Sequence, residues 1–194
     1  MRKHVFSMLW LCLLVLSMLA ATSLHSATKV VISCDSALWY NSLAVAQSQV
    51  GVRERTGRND GVAINKYNAA VGNPKGSPYC MAGQYWAFAQ ICTSICIMRT
   101  GHVRTFWNWA KRKGQRVHYT PRRGDFLCWG YATSASGHVE RIREIGRAGW
   151  VKTVAFNTSS GAAGSQRDGG GVYNRSRNLT HPLGRMLVLG LVGI

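Results

Sequence analysis

Apolar positions follow two spacings along this chain, helix-like before about Gly114 and strand-like beyond Pro121. Residues 36–49 read as a helix that ends at Gly51. Asp60 can cap a second helix, with Val62, Ile64, Tyr67, Asn68 and Val71 at helical spacing and Gly72 as its stop. Ser77 and Pro78 suit the N-cap and first helical position of a third, running to about Cys92. Thr105 can cap a fourth, with Phe106, Trp109 and Ala110 on one side and Gly114 at its end. Residues 125–131, 138–145, 150–156, 171–175 and 186–192 then predict strands. One of these conflicts with its own spacing, because Val139, Ile142 and Ile145 recur every third residue, which suits a helix better. Helices first and strands afterwards predict a segregated α+β domain.

The N-terminus has a different character. Arg2-Lys3-His4 is basic, residues 5–21 are almost wholly apolar, and small residues follow at Ala20-Ala21 and Ser26-Ala27. This is the pattern of a secretory signal segment over residues 1–27, set apart from the fold. A retained membrane anchor is a rival reading, since the run is near the lower limit of a spanning helix. A third is lipidation at Cys34, where Val31-Ile32-Ser33-Cys34 has lipobox-like chemistry, although Lys29 and polar residues separate it from the apolar run.

The 194 residues, 46% hydrophobic, suffice for one compact domain with a proper core and exclude a disordered chain. The glycine-rich stretch 161–171 reads as a loop inside it. Cys12 falls in the signal segment, which leaves Cys34, Cys80, Cys92, Cys96 and Cys128. That number is odd, so at least one thiol stays outside any intramolecular disulfide. Cys92 and Cys96, four apart, make a poor zinc signal and fit helical core packing better, and Cys128 fits a buried strand.

A net charge of +17 favours a polyanionic partner. The basic residues, Arg141 and the Lys111-Arg112-Lys113 run among them, are scattered, and each also fits a solvated surface. No basic block with interleaved aromatics points to nucleic acid. With a secretory segment, an anionic cell-wall polymer is the expected partner and the chain is expected to act as a monomer.

Candidate chemistry centres on Cys80. Placed in the first turn of its helix, its thiolate would be stabilised by the positive end of the helix dipole. Gly137-His138-Val139 follows a loop of small residues, and Asn157-Thr158-Ser159 follows an apolar run. Cysteine, histidine and asparagine in that order suit a thiol acyl-transfer site, the imidazole sharing the thiol proton and the amide holding the ring. A buried structural cysteine and a surface histidine remain the alternatives from spacing alone.

Val50-Gly51-Val52-Arg53-Glu54, Asn59-Asp60-Gly61, Tyr67, Gly76-Ser77-Pro78-Tyr79-Cys80-Met81-Ala82, Gly124-Asp125, Gly137-His138-Val139 and Asn157-Thr158-Ser159 occur in one order. Together they resemble the CHAP domain, the cysteine, histidine-dependent amidohydrolase/peptidase family, which is related to the NlpC-type cell-wall cysteine peptidases. The resemblance runs from about Ala44 to the C-terminus and implies a domain over residues 36–194. It implies a papain-like fold, with the Cys80 helix packed on an antiparallel sheet, and a strand rather than a helix at His138. It implies Cys80 as nucleophile, His138 as base and Asn157 as the polar partner of His138, with no metal or cofactor. Two departures stand out. Ala155 and Phe156 replace the Glu-Gly that commonly precedes this asparagine, and Met81-Ala82-Gly83 replaces the family's Ala-Ala-Phe.

Three functions follow. The first is a secreted hydrolase of peptidoglycan amide bonds, either an endopeptidase or an N-acetylmuramoyl-L-alanine amidase. The second is a catalytically impaired CHAP-like cell-wall binding module, suggested by Ala155. The third is a basic secreted nucleic-acid binder.

Overall fold

A computed structural model describes residues 28–160 and 170–194. The expected signal segment and most of the glycine-rich loop lie outside these described residues. Four helices are followed, in large part, by the strands of one sheet: β1 Thr28–Val31, α1 Ser36–Ser48, α2 Val62–Val71, α3 Cys80–Ala89, α4 Val103–Lys113, β2 Gln115–Val117, β3 Phe126–Gly130, β4 Gly137–Ile145, β5 Trp150–Thr158, β6 Gly171–Asn178 and β7 Leu187–Gly193. The architecture is the expected α+β, papain-like arrangement. Among the described residues, no helix is long and apolar enough to cross a membrane.

The seven strands run in the order β2-β1-β7-β3-β4-β5-β6. The sheet is antiparallel except where β1 lies parallel to β7, so it is mixed rather than purely antiparallel. Neither β1 nor β2 was legible as a strand, because each is only three or four residues long. The sheet therefore begins at Thr28, ahead of residue 36. The sulfur of Cys34 is joined to Cys96, tying the entry to α1 to the loop after α3. This corrects two expectations: Cys96 is not a packed free thiol, and Cys34 has no thiol left for a lipid. Cys80, Cys92 and Cys128 are free.

Helix starts differ from expectation for local reasons. Asp60 accepts from Thr56 N–H at 2.8 Å instead of capping α2, whose N-cap is Gly61. In α4 the cap position falls to His102, three residues before Thr105. The strand at β4 resolves the conflict in its spacing. Val139 packs on the α3 side with Cys80 and Phe88, whereas Ile142 packs on the other face with Leu127 and Trp129. Both faces of the sheet are covered, so apolar residues need not alternate there. A register shift between Ile142 and Glu144 further breaks the period.

Arg141, expected at the surface, is fully buried on the helical face of β4. Its guanidinium lies over the rings of Trp39, Phe88 and Phe126, and donates to the carbonyls of Gly124 at 2.8 Å and Trp39 at 2.9 Å. The planar fork can satisfy several acceptors while stacking on aromatic faces, which an exposed lysine-like charge would not require. Arg141 thus fixes β4 against α1 and the turn that enters β3.

Candidate active site

Cys80 is the first residue of α3, two positions nearer the helix start than its sequence suggests. Segment 77–79 is held out of the helix by its own partners. Asn68 Nδ2 donates to the Ser77 carbonyl at 2.9 Å, and the buried Tyr79 hydroxyl donates to Glu54 Oε1 at 3.1 Å. Tyr79 also packs against Tyr67, with ring centroids 6.0 Å apart. These contacts stop the chain from turning until Cys80. Being first, Cys80 has a backbone N–H with no acceptor inside the helix.

The seat of α3 on the sheet depends on Gly83. A Cβ there would stand 2.1 Å from the ring of Phe156. The two departures from the family pattern thus fit each other: a ring enters from β5 where the helix has no side chain.

His138 opens β4 directly opposite Trp129 of β3. Gly137 brings the strand in close, since a Cβ there would meet the Trp129 carbonyl oxygen at 2.5 Å. Cys80 Sγ lies 4.0 Å from the Gly137 carbonyl oxygen, next to the residue that carries the imidazole, and the thiol is near enough to His138 to act on its titration. The ring faces a carboxylate. His138 Nε2 is 3.1 Å from Glu140 Oε1, which leaves Nδ1 as the uncommitted ring nitrogen.

Glu140 was missed as a site residue. A two-residue offset on a strand puts His138 and Glu140 on one face, and an acid inside an otherwise buried strand was the available signal. Its carboxylate is fully buried and held by three elements. Arg177 of β6 donates from Nε at 2.9 Å and from Nη2 at 2.6 Å to Oε1, and from Nε to Oε2 at 3.1 Å. The Thr153 hydroxyl of β5 donates to Oε2. Trp129 covers the group, its ring 5.9 Å from the His138 ring and 6.0 Å from the Arg177 guanidinium.

The charges reinforce one another. Burial by itself would raise the Glu140 pKa, but the hydrogen bond from His138 and the charge of Arg177 bring it down to about 2. Burial likewise opposes a charged His138, yet the neighbouring Cys80 sulfur and the Glu140 carboxylate, to which the ring is bonded, together raise it to about 9. An imidazolium is therefore the favoured form near neutrality, paired with a carboxylate on one side and the sulfur on the other. Cys128, by contrast, is a fully buried thiol whose pKa burial pushes far up.

Asn157 shares the site but does not hold the ring. Among the described residues its amide makes no hydrogen bond to His138, whose Nε2 is taken by Glu140. The expected amide partner is thus replaced by a carboxylate. A register shift between Ala155 and Thr158 turns Asn157 into a left-handed conformation, φ 53°. Asparagine tolerates this better than most residues, and a bulge re-aims a side chain. Its Oδ1 is buried without a partner.

Cys80, His138 and Asn157 line one cavity of about 190 Å³, walled by Pro78, Val103 and Tyr131. All three residues expected from the sequence are therefore brought together. The cavity offers a sulfur with an imidazole beside it and, at the start of α3, a helix N–H free to donate, which is the equipment for acyl transfer.

No curated protein and no solved structure matches this chain. The family model of the CHAP domain matches residues 72–157. The matched segment contains Cys80, His138, Glu140 and Asn157, and Arg177 lies beyond it. Over residues 72–157 the chain is thus similar to the CHAP domain, whose members are generally amidohydrolases or peptidases, and this likeness supports a peptidoglycan-hydrolase family.

Proposed function

We propose that this protein is a secreted cysteine hydrolase that cleaves an amide bond of peptidoglycan, as an endopeptidase or as an N-acetylmuramoyl-L-alanine amidase. The observation that carries the reading is that Cys80 and His138 share the wall of one cavity, with the Glu140 carboxylate held against His138 behind it. The Cys80 thiolate attacks the amide carbonyl carbon, and the resulting oxyanion accepts from the Cys80 N–H. The C–N bond then breaks, and the His138 imidazolium gives its proton to the departing amine. The neutral imidazole next takes a proton from water, whose oxygen attacks the thioester. Breaking the C–S bond releases the carboxylic acid and restores the thiolate–imidazolium pair.

Glu140 keeps the ring in the orientation that serves both half-reactions. A carboxylate from Glu140 supplies what Ala155 lacks, which favours the hydrolase over an impaired binding module. Secretion is supported by the N-terminal basic and apolar pattern and by the Cys34–Cys96 disulfide, a bond typical of oxidising compartments. Only seven acidic residues are set against 24 basic ones, which suits a polyanionic wall polymer.

Mass spectrometry of muropeptides after incubation of sacculi with the mature protein tests this. Cleaved stems or cross-bridges indicate an endopeptidase, and peptide-free glycan indicates an amidase. Either product should be absent with Cys80→Ala. Sacculi left intact by the wild type would overturn the reading.

A further inference from the structure

We infer that Arg177 is a positioning residue of this site, reaching from β6 to fix the Glu140 carboxylate in the one orientation that presents Oε1 to His138. The inference rests on the proposed hydrolase reading but uses a residue outside the segment that matches the family. Three features carry it.

First, the geometry is a fork. Nε and Nη2 both reach Oε1, at 2.9 and 2.6 Å, and Nε also reaches Oε2, at 3.1 Å. A guanidinium gripping both oxygens prevents the carboxylate from rotating about its terminal bond. The Thr153 hydroxyl donates to Oε2 from the neighbouring strand. His138 Nε2 meets Oε1, the oxygen that Arg177 grips with both nitrogens.

Second, the charge balance requires it. Glu140 is fully buried. Among the described residues, the charged or titratable groups around it are His138 on its own strand and Arg177 and Arg175 on β6; Thr153 on β5 and Trp129 on β3 are neutral. With Arg177 present, the group is neutral whether the dyad is thiolate–imidazolium or thiol–imidazole. Without Arg177, either state carries a buried net negative charge, and the carboxylate becomes easier to protonate. A protonated Glu140 no longer favours the imidazolium.

Third, Arg177 is itself nearly buried and lies over Trp129, the residue that also covers His138. One indole therefore shields both ends of the ion chain from water.

The experiment compares Arg177→Met and Arg177→Lys with wild type. It measures kcat and KM on sacculi across pH 4–9 and, separately, iodoacetamide labelling of the Cys80 peptide by mass spectrometry. Labelling needs no peptidoglycan, so it tests Arg177 even if the hydrolase reading fails. In Arg177→Met, both hydrolysis and labelling should fall further at the acid end of this range than at pH 8, because loss of the guanidinium charge moves the acid limb upward. Arg177→Lys keeps the charge and loses the fork. It should retain the wild-type acid limb while kcat falls at every pH with KM unchanged. A purely structural role would lower Tm and leave the pH profile in place, and that result for Arg177→Met overturns the inference. If Arg177→Met does not fold, Arg177→Lys decides. A lysine variant with wild-type kcat overturns positioning by the fork.

Discussion

Glu140 and Ala155 are paired Cα to Cα across β4 and β5. The carboxylate that the family commonly carries at the position of Ala155 therefore stands directly across the ladder, on the neighbouring strand. Side chains of such a pair point to the same face, with Cβ atoms about 4.5–5.5 Å apart, so either position can deliver an acid to one imidazole. This chain thus carries its carboxylate one strand away from that position.

A swap experiment follows. Glu140→Ala should lower kcat by about 100-fold or more, since an imidazole without its orienting acid adopts the wrong tautomer. Ala155→Glu alone should be harmful rather than helpful. It buries a second carboxylate beside the first, and the melting temperature should drop. The double variant Glu140→Ala with Ala155→Glu should recover part of the lost rate. Hydrolysis of sacculi and thermal unfolding read these outcomes, and a gain of activity in Ala155→Glu alone would contradict them.

Cys80 and Cys128 provide a paired control. Both are buried cysteines, but one touches His138 and opens into the cavity while the other sits in β3 with its thiol pushed strongly toward the neutral form. Cys80→Ala should abolish turnover and preserve the fold. Cys128→Ala should retain the rate and lose about 1 kcal/mol of stability for the small void left behind. Denaturant unfolding alongside the activity assay separates the two effects.

Much of this arrangement is legible in the sequence, and the parts that are not share a cause. Cys80, His138 and Asn157 stand out because each sits in a short local pattern. Glu140 and Arg177 do not, because their partnership spans 37 residues and is made by strand pairing alone. Helices α1 and α2 are marked by Gly51 and Gly72 close to where they end, whereas the start of α3 is set by Tyr79 and Ser77 bonding to distant residues. Strand β4 misleads a periodicity argument because Val139 and Ile142 are buried on opposite faces. Arg141 misleads a charge argument because three aromatic rings accept it. In each case a long-range contact overrides a local rule.

Gly83 and Phe156 make a test of packing that does not touch the chemistry. Gly83→Ala should destabilise by about 1–3 kcal/mol, although alanine is the better helix former, because the added methyl overpacks a filled site. The methyl would lie 2.1 Å from Phe156 Cδ1. Adding Phe156→Leu should recover much of that loss. Chemical denaturation of the three variants checks the coupling, and strictly additive changes would show that the ring and the helix do not meet.

The ion chain also predicts how stability depends on pH, with opposite signs at its two ends. Glu140 is held near 2 in the fold, below the ordinary carboxyl value of 4.5. Its contribution is fully present above the unfolded value and is lost as pH falls from about 4.5 through 2. His138 is held near 9, above the ordinary imidazole value of 6.5. Its contribution is fully present below the unfolded value and is lost as pH rises from about 6.5 through 9. Stability from this cluster should therefore be greatest between roughly pH 4.5 and 6.5 and decline on both sides. Glu140→Gln removes the acid-side slope, because an amide does not titrate. It also flattens the alkaline slope, because His138 loses one of the groups that keep it charged. Urea midpoints for wild type and Glu140→Gln, taken at intervals from pH 3 to 9, read both slopes at once. The difference between the proteins should narrow toward each extreme. Parallel curves across the range would mean that Glu140 and His138 are not coupled in the folded protein.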